Sequence, residues 1–100
     1  MSAAAVEEAA CAHPDVALAA AVAMPDPIFG ERVCLFAVPR PGRSLGLEDV
    51  VAHMRERGVA SENLPERLVV VTELPRASGG KIAKQQLRED IRKRIAEGSR

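Results

Sequence analysis

The amino-acid sequence predicts an α+β domain in which helices cover a small three-stranded sheet. Residues 16–24 alternate mostly larger apolar side chains with alanine, and residues 32–38 place apolar side chains on both faces, which are two patterns typical of strands. In residues 47–54 and 87–95 apolar side chains recur every three or four positions, which is typical of amphipathic helices. A helix at the start and a third strand before the last helix complete the predicted order: helix, two strands, helix, strand, helix.

A His-Pro-Asp break separates the first helix from the first strand. Residues 3–12 favour a helix because they are rich in alanine and carry Glu7 and Glu8 near the positive end of the helix dipole. From Val16 to Met24 the even positions carry mostly larger apolar side chains, and the odd positions between them are alanine. Propensity alone favours a helix here, but the alternation between two prolines predicts a strand with one tightly packed face.

The second strand and the second helix are predicted from simpler patterns. Both faces of residues 32–38 are apolar, so this strand is expected in the centre of the sheet. The second helix has its apolar stripe at positions i, i+3, i+4 and i+7, and Gly58 is a suitable residue for its C-terminal end. The members of the stripe are Leu47, Val50, Val51 and Met54.

The third strand is predicted over residues 68–72, and Pro75 prevents it from continuing. The last helix is predicted from about Lys84 to Glu97, with one apolar face and charged pairs at i, i+4 on the solvent side. Its apolar face consists of Leu87, Ile91 and Ile95, and its charged pairs are Glu89–Lys93 and Asp90–Arg94.

Composition excludes several classes of function. The 100 residues contain 14 basic and 14 acidic side chains and neither Trp nor Tyr, which argues against a nucleic-acid-binding surface. No apolar run reaches transmembrane length, and the N-terminus lacks a signal-peptide pattern. Cys11 and Cys34 are isolated and are expected to be reduced thiols in a cytoplasmic protein. We expect no metal site, with His13 at a helix end and His53 on a solvent-facing helix surface.

One loop combines flexibility with a positive charge. Gly79 and Gly80 precede Lys81, and the last helix begins just after it. Glycines allow the backbone to approach a ligand closely, and a lysine ammonium group suits a carboxylate or phosphate oxygen. An ordinary surface turn with a solvated lysine is the alternative, which would be preferred if the loop stood alone.

The order of three motifs resembles the C-terminal lid domain of the adenylate-forming (AMP-binding) enzymes, the superfamily of acyl- and aryl-CoA ligases, peptide-synthetase adenylation domains and luciferases. The first motif is similar to the family's glutamate pair followed by His-Pro-x-Val. The second is similar to its Asp-Pro-x-Trp/Phe-Gly-Glu loop, and the third to its Leu-Pro-Arg-Thr-x-x-Gly-Lys loop. In this sequence they are residues 6–16, residues 25–31 and residues 74–82.

The resemblance implies a specific role for Lys81. In that family a large N-terminal domain binds ATP, Mg²⁺ and a carboxylic acid, and the small domain rotates between two half-reactions. The lysine matching Lys81 contacts carboxylate and phosphate oxygens while the acyl-adenylate forms. It then leaves, and another face of the lid helps to form the channel for coenzyme A. Lys81 is therefore the candidate catalytic residue, and Gly79 and Gly80 form its loop.

The resemblance also implies candidates for binding coenzyme A. Phe29 and Gly30 match a position near the thiolation channel, although a hydrophobic anchor that pins the loop to the sheet is the preferred alternative for Phe29. Arg67 is the nearest basic candidate for the CoA phosphates. Glu62 and Glu66 introduce acid in that stretch, where related ligases supply basic groups. A basic stripe on the last helix, formed by Lys84, Arg88 and Arg92, is a solvated face or a docking surface for CoA or a carrier protein.

Two departures from the family pattern set the expectations. Ala77 replaces the usual threonine, which removes a hydroxyl that could brace the loop. The chain opens at Met1, so residues 1–100 are expected to be a single lid domain, without the hinge and the N-terminal ATP-binding domain. Alone it is expected to be inactive.

Three functions follow as hypotheses. The chain is the lid of an acyl-CoA synthetase, the lid of a carrier-protein-loading aryl-acid adenylating enzyme, or a non-catalytic anion-binding interaction module.

Overall fold

The helices and strands follow the predicted order along the chain. The computed structural model describes residues 2–28 and 30–98. Within these ranges the elements are α1 (Ala3–Cys11), β1 (Val16–Asp26), β2 (Gly30–Pro39), α2 (Leu47–Glu56), β3 (Arg67–Val70) and α3 (Lys84–Gly98). Single 3-10 turns lie at Ser61–Asn63 and Ser78–Gly80.

The third strand is shorter than predicted and begins one residue earlier. It starts at Arg67 and ends at Val70 instead of covering residues 68–72. The Val71 amide still donates to the Ala37 carbonyl, at 3.0 Å, and the chain then leaves the sheet. The valine-rich run therefore continues beyond the C-terminal end of the strand.

β2 lies in the middle of the sheet, as its two apolar faces predicted. β1 pairs with it antiparallel, with Ala21 opposite Leu35. β3 pairs with it parallel, with Leu68 opposite the same residue, and α2 lies in the connection between these two strands. In the described ranges β1 and β3 are therefore the edge strands.

Each face of the sheet has its own hydrophobic cluster, so the architecture has three layers. On one face α1 and α2 pack on the sheet, and on the other face α3 packs on it. The α1–α2 cluster comprises Val6, Ala9, Ala10, Val16, Ala19, Ala21, Val33, Leu35, Val50 and Met54. The α3 cluster comprises Ala20, Val22, Met24, Cys34, Phe36, Val69, Leu74, Leu87 and Ile91. Within the ranges given above, no helix is long and apolar enough to cross a membrane.

The prediction that β1 has a single packed face is wrong. Ala19 and Ala21 are buried on the α1–α2 side, while Ala20 and Val22 are buried on the α3 side. Alanine is short enough to let a helix approach the sheet closely, so the alanine face is covered as well. An edge strand covered on both faces therefore belongs to both clusters.

The buried thiol of Cys34 gives a prediction for thiol chemistry and pH dependence. Burial raises the pKa of Cys34 from its usual 9.0 to about 12. Above about pH 9 the unfolded chain loses a proton that the folded chain keeps, so the free energy of unfolding falls as the pH rises toward about 12. At pH 8 we expect a thiol reagent to modify the exposed Cys11 in the native protein and Cys34 only in denaturant. Two fast-reacting thiols in the native protein would contradict this.

Candidate functional site

The loop that carries Lys81 is a closed hairpin, here called the Lys81 hairpin (residues 75–83). At its base the Ala83 amide donates to the Pro75 carbonyl at 2.8 Å, and farther out the Ala77 amide donates to the Lys81 carbonyl at 2.7 Å. Arg76 and Ile82 form an isolated antiparallel bridge between these bonds. The turn expected from the sequence is therefore a hydrogen-bonded hairpin with Lys81 near its tip.

The Arg76 side chain braces the hairpin, a role that was not predicted from the sequence. Its Nη1 donates to the Gly80 carbonyl at 3.1 Å and ties one arm of the hairpin to the turn. This contact lies one residue before Ala77, where the family pattern has threonine. The hairpin is thus held by a side chain despite the missing hydroxyl, and Arg76 could have been suspected from its place in the Leu-Pro-Arg motif.

The two glycines set the shape of the turn. Gly79 has φ +81° and Gly80 has φ +79°, both in the left-handed region, and a Cβ atom at either position would meet nothing within 4 Å. A side chain at either position would therefore destabilise the turn through its unfavourable backbone angle and not through a steric clash. We expect Gly79→Ala and Gly80→Ala each to lower the free energy of unfolding by about 1 kcal/mol, measured by urea titration.

Gly46→Ala is the control for those variants, because Gly46 lies at the start of α2 with φ −123° and equally open space around it. Gly46 is the N-cap of α2, where alanine is less favourable than glycine but its backbone angles are allowed, so we expect a smaller loss of stability for this variant. An equal loss in all three would show that the left-handed turn is not the cause.

The Lys81 side chain is exposed at the hairpin tip. Throughout residues 2–28 and 30–98, no salt bridge or side-chain hydrogen bond holds its ammonium group. The hairpin thus carries an exposed positive charge near its tip. That arrangement suits an anionic group on another domain or ligand.

Lys84 is positioned quite differently from Lys81. Its Nζ lies 2.7 Å from Oε2 of Glu7, and the same oxygen accepts the Ala21 amide at 2.8 Å. We call this three-part contact the Glu7–Lys84 clamp. The proposed basic stripe on α3 is correspondingly reduced, because Lys84 is neutralised within the chain, while Arg92 is exposed.

Two of the coenzyme A candidates, Gly30 and Arg67, each lie at the first residue of a strand. Phe29 is outside the described residues. Gly30 is exposed at the start of β2 with φ +81°, and Arg67 begins β3 opposite Cys34. Four residues of strand separate Gly30 from that pairing, a distance of about 13 Å. The two residues therefore do not form one compact site, although an extended ligand could span them.

Glu66 forms a salt bridge within the chain. Its carboxylate pairs with Arg32, and this contact raises the pKa of the Arg32 guanidinium. A groove of about 610 Å³ lies beside this pair, and its lining mixes both signs of charge. Arg67 faces the other side of the sheet, because it is paired with Cys34 of the α3 cluster. The charged residues lining the groove are Glu31, Arg32, Arg55, Glu62 and Glu66.

His13 is a structural link between α1 and α2. It is 6% exposed; Nδ1 accepts the Asp15 amide at 3.0 Å, so Nε2 carries the hydrogen donated to Asp49 at 2.8 Å. Oxygens of Asp15 and Asp49 lie within 4.8 Å of a ring nitrogen in a grouping that could hold a metal ion, but both nitrogens are already bonded. The grouping is therefore better explained as a polar connection than as a metal site.

The expectation that His53 faces solvent is wrong. Its ring packs edge-on against His13 with centroids 5.1 Å apart, and its Nε2 is buried with no hydrogen-bond partner. The α2 surface that carries His53 turns toward the end of α1. Sequence spacing alone did not reveal that contact.

Comparison with known proteins identifies the family. The sequence model of the AMP-binding enzyme C-terminal domain matches residues 5–81. The chain belongs to this family. The match ends at Lys81, so it includes the first arm and the tip of the Lys81 hairpin.

Relatives of this AMP-binding C-terminal domain include ligases for aliphatic and aryl acids. It is 43% identical to a medium-chain fatty-acid–CoA ligase of Escherichia coli over 92% of this chain and 16% of the relative. It is 41% identical to a 2,3-dihydroxybenzoate-AMP ligase of Bacillus subtilis over 93% of this chain and 17% of the relative. The chain therefore spans about a sixth of the curated relatives it matches.

A solved structure confirms the fold of the domain. The apo structure of MbtA from Mycobacterium smegmatis matches with a TM-score of 0.82 and 39% identity, over 87% of this chain and 16% of that one. The resemblance to the C-terminal domain of adenylate-forming enzymes, and the predicted α+β class, are thus confirmed.

Proposed function

We propose that this chain is the mobile C-terminal domain of an ATP-dependent acyl-CoA synthetase. Such an enzyme converts a carboxylic acid and ATP to an acyl-adenylate and then forms a thioester with coenzyme A. The observation that carries the proposal is the Lys81 hairpin, which holds an exposed ammonium group at its tip in a domain of this family. The proposed partner is the enzyme's own N-terminal adenylation domain.

The chemistry of adenylation explains the need for a mobile cation. Attack of a carboxylate on the α-phosphate brings two anionic groups together, and charge develops on the phosphate oxygens. An ammonium group stabilises those oxygens without transferring a proton. Gly79 and Gly80 keep the tip free of bulky side chains, so Lys81 can enter a narrow site between ligands.

ATP and Mg²⁺ would be bound by the N-terminal domain, and this chain adds the Lys81 charge to that site. For coenzyme A we propose Gly30 and Arg67, together with Phe29, which precedes Gly30 in the sequence. The spacing of Gly30 and Arg67 suits a long ligand that runs along β2 toward the start of β3. Because ATP and coenzyme A are cytoplasmic metabolites, we place the enzyme in the cytoplasm.

A carrier protein is the alternative acceptor. The named aryl-acid AMP ligase among the relatives favours this candidate, and Arg92 on the exposed face of α3 would meet an acidic partner. The third hypothesis, an anion-binding interaction module, requires no adenylation at all. These hypotheses differ in which reaction depends on the chain.

ATP–pyrophosphate exchange tests the proposal. We expect exchange when the chain is joined to the N-terminal adenylation domain of its own enzyme, and none from the chain alone. If the joined protein and the N-terminal domain alone exchange at the same rate, the chain has no part in adenylation and the interaction module is favoured. Adding coenzyme A or a carrier protein to the preformed adenylate then shows which acceptor consumes it.

A further inference from the structure

The Glu7–Lys84 clamp joins the two sides of the sheet around the open edge of β1. Because the Ala21 amide donates to Glu7 on α1, it points away from β2 and into the space beside this edge strand. Lys84 reaches the same carboxylate oxygen from α3, which packs on the opposite face of the sheet. One oxygen therefore satisfies an edge amide and an ammonium group at once.

The clamp is more protected than an ordinary surface ion pair. The Glu7 side chain is 22% exposed and the Lys84 side chain 30%, and both contacts are shorter than 3 Å. Partial burial limits screening by salt, and a charged acceptor strengthens both hydrogen bonds. For comparison, the Asp90–Arg94 pair on the same helix is more exposed, at 39% and 45%.

The clamp acts next to the base of the Lys81 hairpin. Lys84 is the first residue of α3, and the preceding Ala83 is buried and bonded to Pro75 at the base of the hairpin. Fixing Lys84 therefore fixes the point from which the hairpin projects. It also pairs the second ammonium group of the segment within the chain, whereas the Lys81 ammonium group stays exposed near the hairpin tip.

We propose that Glu7 is a positioning residue for Lys81. By holding Lys84 across the edge of β1, it sets the direction in which the hairpin presents the Lys81 ammonium group. The catalytic part of this inference rests on the proposed function, because Lys81 takes part in adenylation only if that function is correct. The mechanical part of the inference concerns this chain alone.

Amide hydrogen exchange on the chain tests the mechanical part. In Glu7→Gln and Lys84→Met we expect the Ala77 and Ala83 amides of the hairpin to exchange about three- to ten-fold faster, the range expected for a half-buried ion pair. Lys84→Arg keeps the positive charge, so the hairpin amides should stay about as protected as in the wild type. The Ala21 amide should stay protected in Glu7→Gln, because the glutamine oxygen still accepts it.

Asp90→Asn is the matched control, because it breaks an ion pair on the same helix without touching the clamp. We expect hairpin exchange in this variant to equal that of the wild type. If Glu7→Gln and Lys84→Met leave the hairpin amides unchanged, the clamp does not position the hairpin. An equal acceleration of the core Phe36 amide would also overturn the proposal, because it would reveal general destabilisation.

A kinetic measurement on the joined enzyme completes the test. In Glu7→Gln we expect kcat for ATP–pyrophosphate exchange to fall about three- to ten-fold, with KM for ATP nearly constant, as for misplacement of a group used in the transition state. An unchanged kcat with a loosened hairpin would overturn the positioning role. A different result would be that Lys81→Ala leaves ATP–pyrophosphate exchange unchanged while Glu7→Gln still accelerates amide hydrogen exchange in the hairpin. In that case the proposed function fails, but the mechanical part of the inference stands.

Discussion

Lys81→Ala is expected to lower the rate of ATP–pyrophosphate exchange by about a hundred- to a thousand-fold in the joined enzyme, the usual effect of removing one group that stabilises developing charge. The Lys81 side chain is exposed at the hairpin tip, so its loss should leave the fold intact. The effect should appear in kcat, because the ammonium group acts as charge develops on the phosphate oxygens. The assay is exchange of labelled pyrophosphate into ATP at saturating acid.

Two further variants separate position from charge. Lys93→Ala removes an exposed lysine from α3, and we expect the exchange rate to be unchanged. Lys81→Arg keeps the charge but replaces a compact ammonium with a larger planar group, so we expect an intermediate rate. Equal losses in Lys81→Ala and Lys93→Ala would show a nonspecific effect of charge, and a wild-type rate in Lys81→Ala would refute the adenylation role.

The second half-reaction supplies an internal reference. The family resemblance implies that the lysine leaves the active site before thioester formation. We therefore expect the Lys81→Ala enzyme to convert a preformed adenylate and coenzyme A to the thioester at close to the wild-type rate. A large loss in this step as well would mean that the hairpin remains in the site throughout, or that the domain no longer docks.

The elements could be predicted because each has its own apolar pattern. The continuous apolar run in β2 indicated two buried faces, and the stripe from Leu47 to Met54 indicated which face of α2 packs. Both are local properties of the chain. For β1 the alternation identified the strand but not the burial of its alanine face, because that burial depends on α1 and α3 approaching from opposite sides.

The supports of the candidate site are nonlocal, and for that reason the sequence did not reveal them. Glu7 and Lys84 lie near opposite ends of the chain, and no spacing rule connects them. His13 and Asp49 likewise meet only because α1 and α2 share one face of the sheet. By contrast, Lys81 and its glycines belong to one short segment, so their loop could be suspected from the sequence. The motif located the charged group, while the fold determines what holds it.

Phe36→Ala is expected to lower the free energy of unfolding by about 3–5 kcal/mol, the usual cost of emptying a buried aromatic site. Phe36 is fully buried on the central strand, and the chain contains only two aromatic residues. Domains of this size are stabilised by about 5–15 kcal/mol in total, so the loss is a large share. Urea titration of the chain, followed by far-UV circular dichroism, measures it.

Leu18→Ala is the control for Phe36→Ala, because Leu18 lies on β1 but is 41% exposed. We expect it to cost less than about 1 kcal/mol, since little apolar surface returns to water. Similar losses in both variants would contradict the burial described for the sheet. Phe36→Leu should lose an intermediate amount of stability and leave a folded domain.

Phe36 shares the α3 cluster with Leu74 and Leu87, which flank the Lys81 hairpin in sequence. If Phe36→Leu weakens stability yet keeps the adenylation rate below its unfolding temperature, the effect of Lys81→Ala is one of local charge and not of packing.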